Sequence, residues 1–179
     1  MDTPFLNTIA EGLANEGICV ARFEFPYMVQ RRKTGKKRPP DREPKLRESW
    51  HDVIRQLGAE GLIIGGKSMG GRIASMIADE ANVKGLVCLG YPFHPVGKPD
   101  RLRIDHLQSI RTPTLIIQGT RDPFGTREEV EGYELAKTVQ LHWLQDGNHD
   151  FRPRKASGCT EEQHLEAAIE VIVGFVKSL

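Results

Sequence analysis

Gly66-Lys67-Ser68-Met69-Gly70 follows the apolar residues Leu62-Ile63-Ile64 and leads into a helix-like stretch. A serine flanked by such glycines suits a sharp strand-to-helix turn, because neighbouring backbone approaches without a Cβ in the way and the hydroxyl stands clear. A serine hydroxyl alone is a weak nucleophile. It needs a base to take its proton and a carboxylate to fix the base's tautomer. Asp122 lies in a loop after the apolar run 114–119, and His149 lies in a loop after the run 139–144. Each sits just past the end of an expected strand. Any one of these motifs is commonly an ordinary turn. Together, in the order Ser68, Asp122, His149, they predict a nucleophile, an orienting carboxylate and a general base. The backbone N–H of Met69 is the expected donor to an oxyanion.

Residues 61–68 also satisfy G-x-x-x-x-G-K-S, a phosphate-cradling loop in which Lys67 would meet a phosphate. That loop requires a strand before its first glycine and a turn between the glycines. Here Leu62-Ile63-Ile64 occupies the between-positions and reads as the strand itself. Before Gly61, Trp50, Val53, Ile54 and Leu57 recur at helical spacing. The nucleotide reading therefore fails on context.

The elements that must hold these residues alternate. Helical patterns are expected at residues 3–15, 44–57, 69–80, 127–137 and 161–179, and strands at 18–25, 62–64, 83–89, 114–119 and 139–144. Such alternation implies one α/β domain, residues 1–179, with a mostly parallel sheet covered by helices on both faces. Strand carboxyl ends then share the edge where ligands bind in open α/β sheets. The chain has 179 residues and 39% hydrophobic content, enough for a real core. It contains no apolar run of membrane-spanning length and no signal-peptide pattern, which predicts a cytoplasmic protein. Of three cysteines, Cys19 and Cys88 fall in apolar runs and are expected to be buried, and Cys159 lies in a polar loop. No metal-ligand spacing and no cofactor motif appears.

The chain order Ser68, Asp122, His149 is that of α/β-hydrolases, and the sequence resembles that superfamily. It is similar, more narrowly, to a small dienelactone-hydrolase-like, predicted-hydrolase group that includes animal testis-expressed protein 30 and the third subunit of the nonspecific-lethal chromatin complex. Arg22-Phe23-Glu24-Phe25-Pro26-Tyr27-Met28, Gly65-Gly66-Lys67-Ser68-Met69-Gly70-Gly71-Arg72 and Leu89-Gly90-Tyr91-Pro92-Phe93-His94-Pro95 carry the narrower likeness. The resemblance implies a compact hydrolase core. It also implies N-terminal strands that this chain lacks: a strand and a His-Gly-Ala-Gly-like loop precede the segment matching Met1-Asp2-Thr3-Pro4-Phe5. That strand would lie between the 18–25 and 62–64 strands, and that loop would give the second oxyanion donor. Losing one donor lowers turnover by about 10²–10³-fold. The resemblance therefore implies a shortened start or a weak enzyme, in which the 18–25 strand pairs directly with 62–64 or the chain self-associates.

Residues 31–38 form the one dense basic run, and the formal net charge is only +1. Without interleaved aromatics the run offers no base-stacking platform and reads as a solvated loop. No nucleic-acid or membrane partner is expected. The stretch between the 83–89 and 114–119 strands is too short for a large lid, which implies an open cleft, with Tyr27, Lys67, Phe93 and His94 as lining candidates. The other histidines read as surface or packing residues. The expectation is a lidless serine hydrolase acting on an ester, thioester or related small-molecule acyl bond. Its rival is a weak or inactive hydrolase-fold interaction module.

Overall fold

The structure, a computed structural model, describes residues 2–179. Helix α1 (Pro4–Asn15) starts at Thr3, whose hydroxyl accepts from Leu6 N, with proline in its first turn. Helices α2 (Pro26–Thr34) and α3 (Glu43–Leu57) follow, and then strand β1 (Ile63–Lys67) runs into α4 (Met69–Ser75) and the short α5 (Ala78–Ala81). Strand β2 (Gly85–Leu89), strand β3 (Thr114–Gly119), the single-turn α6 (Arg127–Val130), strand β4 (Val139–Leu144) and α7 (Glu161–Ser178) complete the order. A reciprocal capping box between Thr160 and Gln163 opens α7.

Among the described residues the four strands are parallel in the order β1-β2-β3-β4. Every residue of β2 and β3 is buried, as expected of strands covered on both faces. Their side chains alternate between two apolar layers. Leu86, Cys88 and Ile116 join Trp50 and Ile54 of α3 and Ile73 of α4. Val87, Leu89, Leu115 and Ile117 join Ile9 and Leu13 of α1 and Ile172 and Phe175 of α7. Apolar residues at spacings of three and four make one face of α7 fit that layer.

Three expected elements differ. Residues 18–25 form no strand, and β1 pairs only with β2 among the described residues. A strand exists by pairing, and here a groove separates the segment from β1. Cys19, Val20, Ala21 and Arg22 are accordingly exposed, so the expected burial of Cys19 is corrected. The direct pairing of 18–25 with 62–64 does not occur. The helix expected at 127–137 stops at Val130; past Gly132 the chain is drawn inward, with Ala136 N bonded to Leu107 O at 2.9 Å. The helix expected at 69–80 breaks at Met76–Ile77, just after Ser75 Oγ donates back to Arg72 O.

The basic run is half helical. Its first four residues end α2, which Gly35 terminates in the left-handed conformation, and residues 31–38 are all exposed. Among the described residues no helix is long and apolar enough to cross a membrane.

Candidate active site

Strand β1 delivers Ser68 to a turn with φ 53° and ψ −118°. Its amide donates to Leu89 O at 2.8 Å, and its carbonyl accepts from Arg72 N at 3.0 Å, which starts α4. The turn closes only over small residues. A Cβ on Gly66 would stand 2.8 Å from the Gly71 nitrogen, and one on Gly71 would stand 2.6 Å from Gly66 O. Gly70, the second glycine of the motif, would meet nothing within 4 Å. The steric need therefore falls on Gly66 and Gly71.

Asp122 follows β3, and its carboxylate is fully buried. Phe124 N donates to Oδ1 at 2.9 Å, and Gln118 Nε2 donates to Oδ2 at 3.0 Å. His149 follows β4 in a loop pulled against the end of β3. A Cβ on Gly119 would lie 2.3 Å from Gly147 O, so only glycine permits that approach. Asn148 Oδ1 accepts from Asp150 N and Arg152 N, closing the loop on itself.

These pieces bring the three side chains together. His149 Nδ1 donates to Asp122 Oδ2 at 2.7 Å, which leaves Nε2, 2.9 Å from Ser68 Oγ, as acceptor of the serine hydroxyl. The imidazole packs against the Phe124 ring at 4.5 Å between centroids and keeps 20% exposure. One arrangement thus links a hydroxyl near solvent to a buried carboxylate through a single ring.

Charges beyond the relay fix the loops. Lys67 Nζ donates to His149 O at 2.8 Å and pairs with Asp150 at 3.0 Å. Burial works against the Asp150 anion, yet the Lys67 hydrogen bond and charge hold its carboxyl below the usual range. Asp146 accepts from the Arg154 side chain and backbone and also pairs with Arg121. The Arg154 hydrogen bond, above all, pulls its carboxyl down to about 2.

Of the lining candidates, Tyr27 and Lys67 border a groove of about 1060 Å³ that also reaches Ser68 and Met69. Phe93 and His94 do not border it. Both are buried behind the Asp122 loop, because Phe93 packs on Tyr91 and Tyr133 while His94 N bonds Phe124 O. Their expected place in the cleft is corrected to support of that loop. Gln118, Asn148 and Phe124 were not singled out from sequence. The available signal for Gln118 was a lone amide inside the apolar run 114–119, four residues before Asp122.

A parallel sheet with a serine at a strand-to-helix turn, and an acid and a histidine past later strands, defines an α/β-hydrolase arrangement. The family model for the alpha/beta hydrolase domain matches residues 1–177, and the chain belongs to that family. Its fold is similar to an α/β serine hydrolase without lid from Xanthomonas campestris, with TM-score 0.73, 18% identity, and coverage of 99% of this chain and 74% of that one. It is also similar to an α/β serine hydrolase homologue from Coxiella burnetii, with TM-score 0.71, 19% identity, and coverage of 100% and 77%. An esterase domain from a Rhodothermus marinus protein matches with TM-score 0.67, 18% identity, and coverage of 97% and 79%. The lidless α/β-hydrolase fold is therefore established.

Proposed function

We propose that this chain is a serine hydrolase cleaving an ester, thioester or related acyl bond. The observation that carries the reading is the continuous relay from Ser68 Oγ through His149 to buried Asp122, at 2.9 and 2.7 Å. Ser68 Oγ attacks the acyl carbonyl while His149 Nε2 takes its proton, and the carbonyl oxygen becomes an oxyanion beside the Met69 N–H. The tetrahedral adduct collapses, and the alcohol or thiol leaves with the proton from His149. Water then attacks the acyl-serine with His149 again as base, releasing the acid and restoring Ser68. Asp122 holds the tautomer throughout and faces the imidazolium that forms transiently.

An open site with no covering lid favours small or extended acyl substrates, and Tyr27 and Lys67 are the side chains closest to this role. The expected partner is a small molecule, not nucleic acid or membrane, and the expected location is cytoplasmic. The narrower likeness to the testis-expressed protein 30 group belongs to this reading as well. A relay this complete supports catalysis over the interaction-module alternative.

A fluorophosphonate probe tests the assignment, because it phosphonylates only a serine with a positioned base. Ser68 is expected to be the sole labelled serine in peptide mapping. Labelling that persists in Ser68→Ala would overturn the assignment.

A further inference from the structure

Gln118 is fully buried in β3, at the end of the apolar run Leu115 to Ile117. Its Nε2 lies 3.1 Å from Tyr91 O, 3.0 Å from Asp122 Oδ2 and 3.3 Å from Gly125 O. All three are acceptors. The amide nitrogen must therefore face them, since the reverse orientation would set Oε1 against three oxygens. In that orientation Oε1 is buried with no hydrogen-bond partner. A buried carbonyl left unpaired is destabilising. Leucine would fill much the same volume without that penalty, so packing does not explain a glutamine here.

We infer that Gln118 is a positioning residue for the triad, an inference that rests on the serine-hydrolase reading above. Asp122 Oδ2 must present one lone pair to His149 Nδ1 while the ring gains and loses a proton. Without Gln118 the carboxylate would keep only Phe124 N at Oδ1 and the imidazole itself at Oδ2, so nothing independent of the ring would fix the oxygen that orients it. The Gln118 amide adds a second hold, at the oxygen that meets the imidazole, and so fixes the carboxylate plane. It also anchors the loops after β2 and β3, through Tyr91 O and Gly125 O, to the same amide. Gln118 touches no reacting atom. It acts through Asp122.

The experiment follows the rate of fluorophosphonate labelling at Ser68 across pH for the wild-type chain, Gln118→Leu and Gln118→Glu, with thermal melts alongside. Gln118→Leu removes the orphaned carbonyl but leaves Tyr91 O, Gly125 O and Asp122 Oδ2 without the amide donor, so its melting temperature is expected to fall modestly while the chain still folds. Its limiting labelling rate is expected to fall roughly 10- to 100-fold, as misplaced catalytic groups do, with the reagent's half-saturation unchanged. In Gln118→Glu the introduced carboxyl can donate to Asp122 only while protonated. Burial and the neighbouring carboxylate raise its pKa, and ionisation at higher pH then sets two like charges against each other. Labelling by this variant should therefore show a falling alkaline limb that wild type lacks.

A Gln118→Leu rate equal to wild type, or a Gln118→Glu profile without that limb, overturns the inference. If Gln118→Leu fails to fold, the limb in Gln118→Glu decides alone. No labelling of the wild type at Ser68 brings down the hydrolase reading and this inference with it. Wild-type labelling with unaltered variants brings down only this one.

Discussion

The two flanks of the sheet are built to different standards. On the β3–β4 flank, the loops carrying Asp122 and His149 are tied down by Phe124 N, Gln118, Asn148, Lys67 and the Asp146–Arg154 pair. On the β1 flank, the strand carrying Ser68 borders a groove of about 1060 Å³, and residues 18–25 across it form no strand. On the proposed serine-hydrolase reading, proton transfer belongs to the first flank and room for a substrate to the second. The difference teaches that this fold spends its hydrogen bonds where a geometry must not vary. It leaves, among the described residues, a backbone edge without a strand partner beside the groove.

The comparison breaks most sharply if the tied flank proves dispensable. His149→Ala is expected to reduce hydrolysis of an activated ester by roughly 10³–10⁴-fold, as loss of a triad member does. It should also change the pH dependence of the rate, which a general base shapes. A pH profile unchanged by the substitution would remove His149 from the role of base.

A smaller effect concerns the open flank. Amides of β1 that face the groove are expected to exchange with deuterium at least about tenfold faster than those of Leu115 to Ile117, since edge backbone opens locally. Equal protection, with a molecular mass doubled in sedimentation, would mean instead that a second copy is seated on the edge. Self-association by strand pairing would then be the rule for this chain.

The smallest effect tests the Asp146 clamp under the His149 loop. Its carboxyl is held near 2 against an ordinary 3.8, so it contributes stability above the ordinary value and loses it as pH falls through the lower one. Asp146→Asn should lower the melting temperature at neutral pH. The gap from wild type should close as pH falls from about 4 to about 2. A gap that stays constant over that range would show that Asp146 acts by shape rather than charge.

The proposed triad was legible because each member sits where an apolar run ends, and a buried parallel strand leaves few places for a polar side chain except its carboxyl tip. The central strands were legible for the same reason: Leu86 to Leu89 and Leu115 to Ile117 are apolar without interruption. Residues 18–25 are apolar apart from Arg22 and Glu24 but lack a neighbour to pair with, and composition cannot supply one. Gly132 and the pull of Leu107 O on Ala136 N shortened the helix after Asp122 through a tertiary contact. Phe93 and His94 were misplaced because residues following a strand can turn toward the cleft or under the next loop, and only the packing of Tyr133 and Gly125 against Phe93 decides it. Gln118 went unread because a single polar residue in a strand resembles noise until its three acceptors surround it.

Ser68 occupies a backbone conformation, φ 53° and ψ −118°, that suits glycine far better than any residue with a Cβ. On the serine-hydrolase reading, thermal tolerance and chemistry thus pull in opposite directions at one codon. A library sorted only for survival on heating would drift toward glycine there and return sturdier proteins with no nucleophile. Breeding a hardier form of this fold therefore calls for a filter that asks, in every round, whether position 68 still reacts.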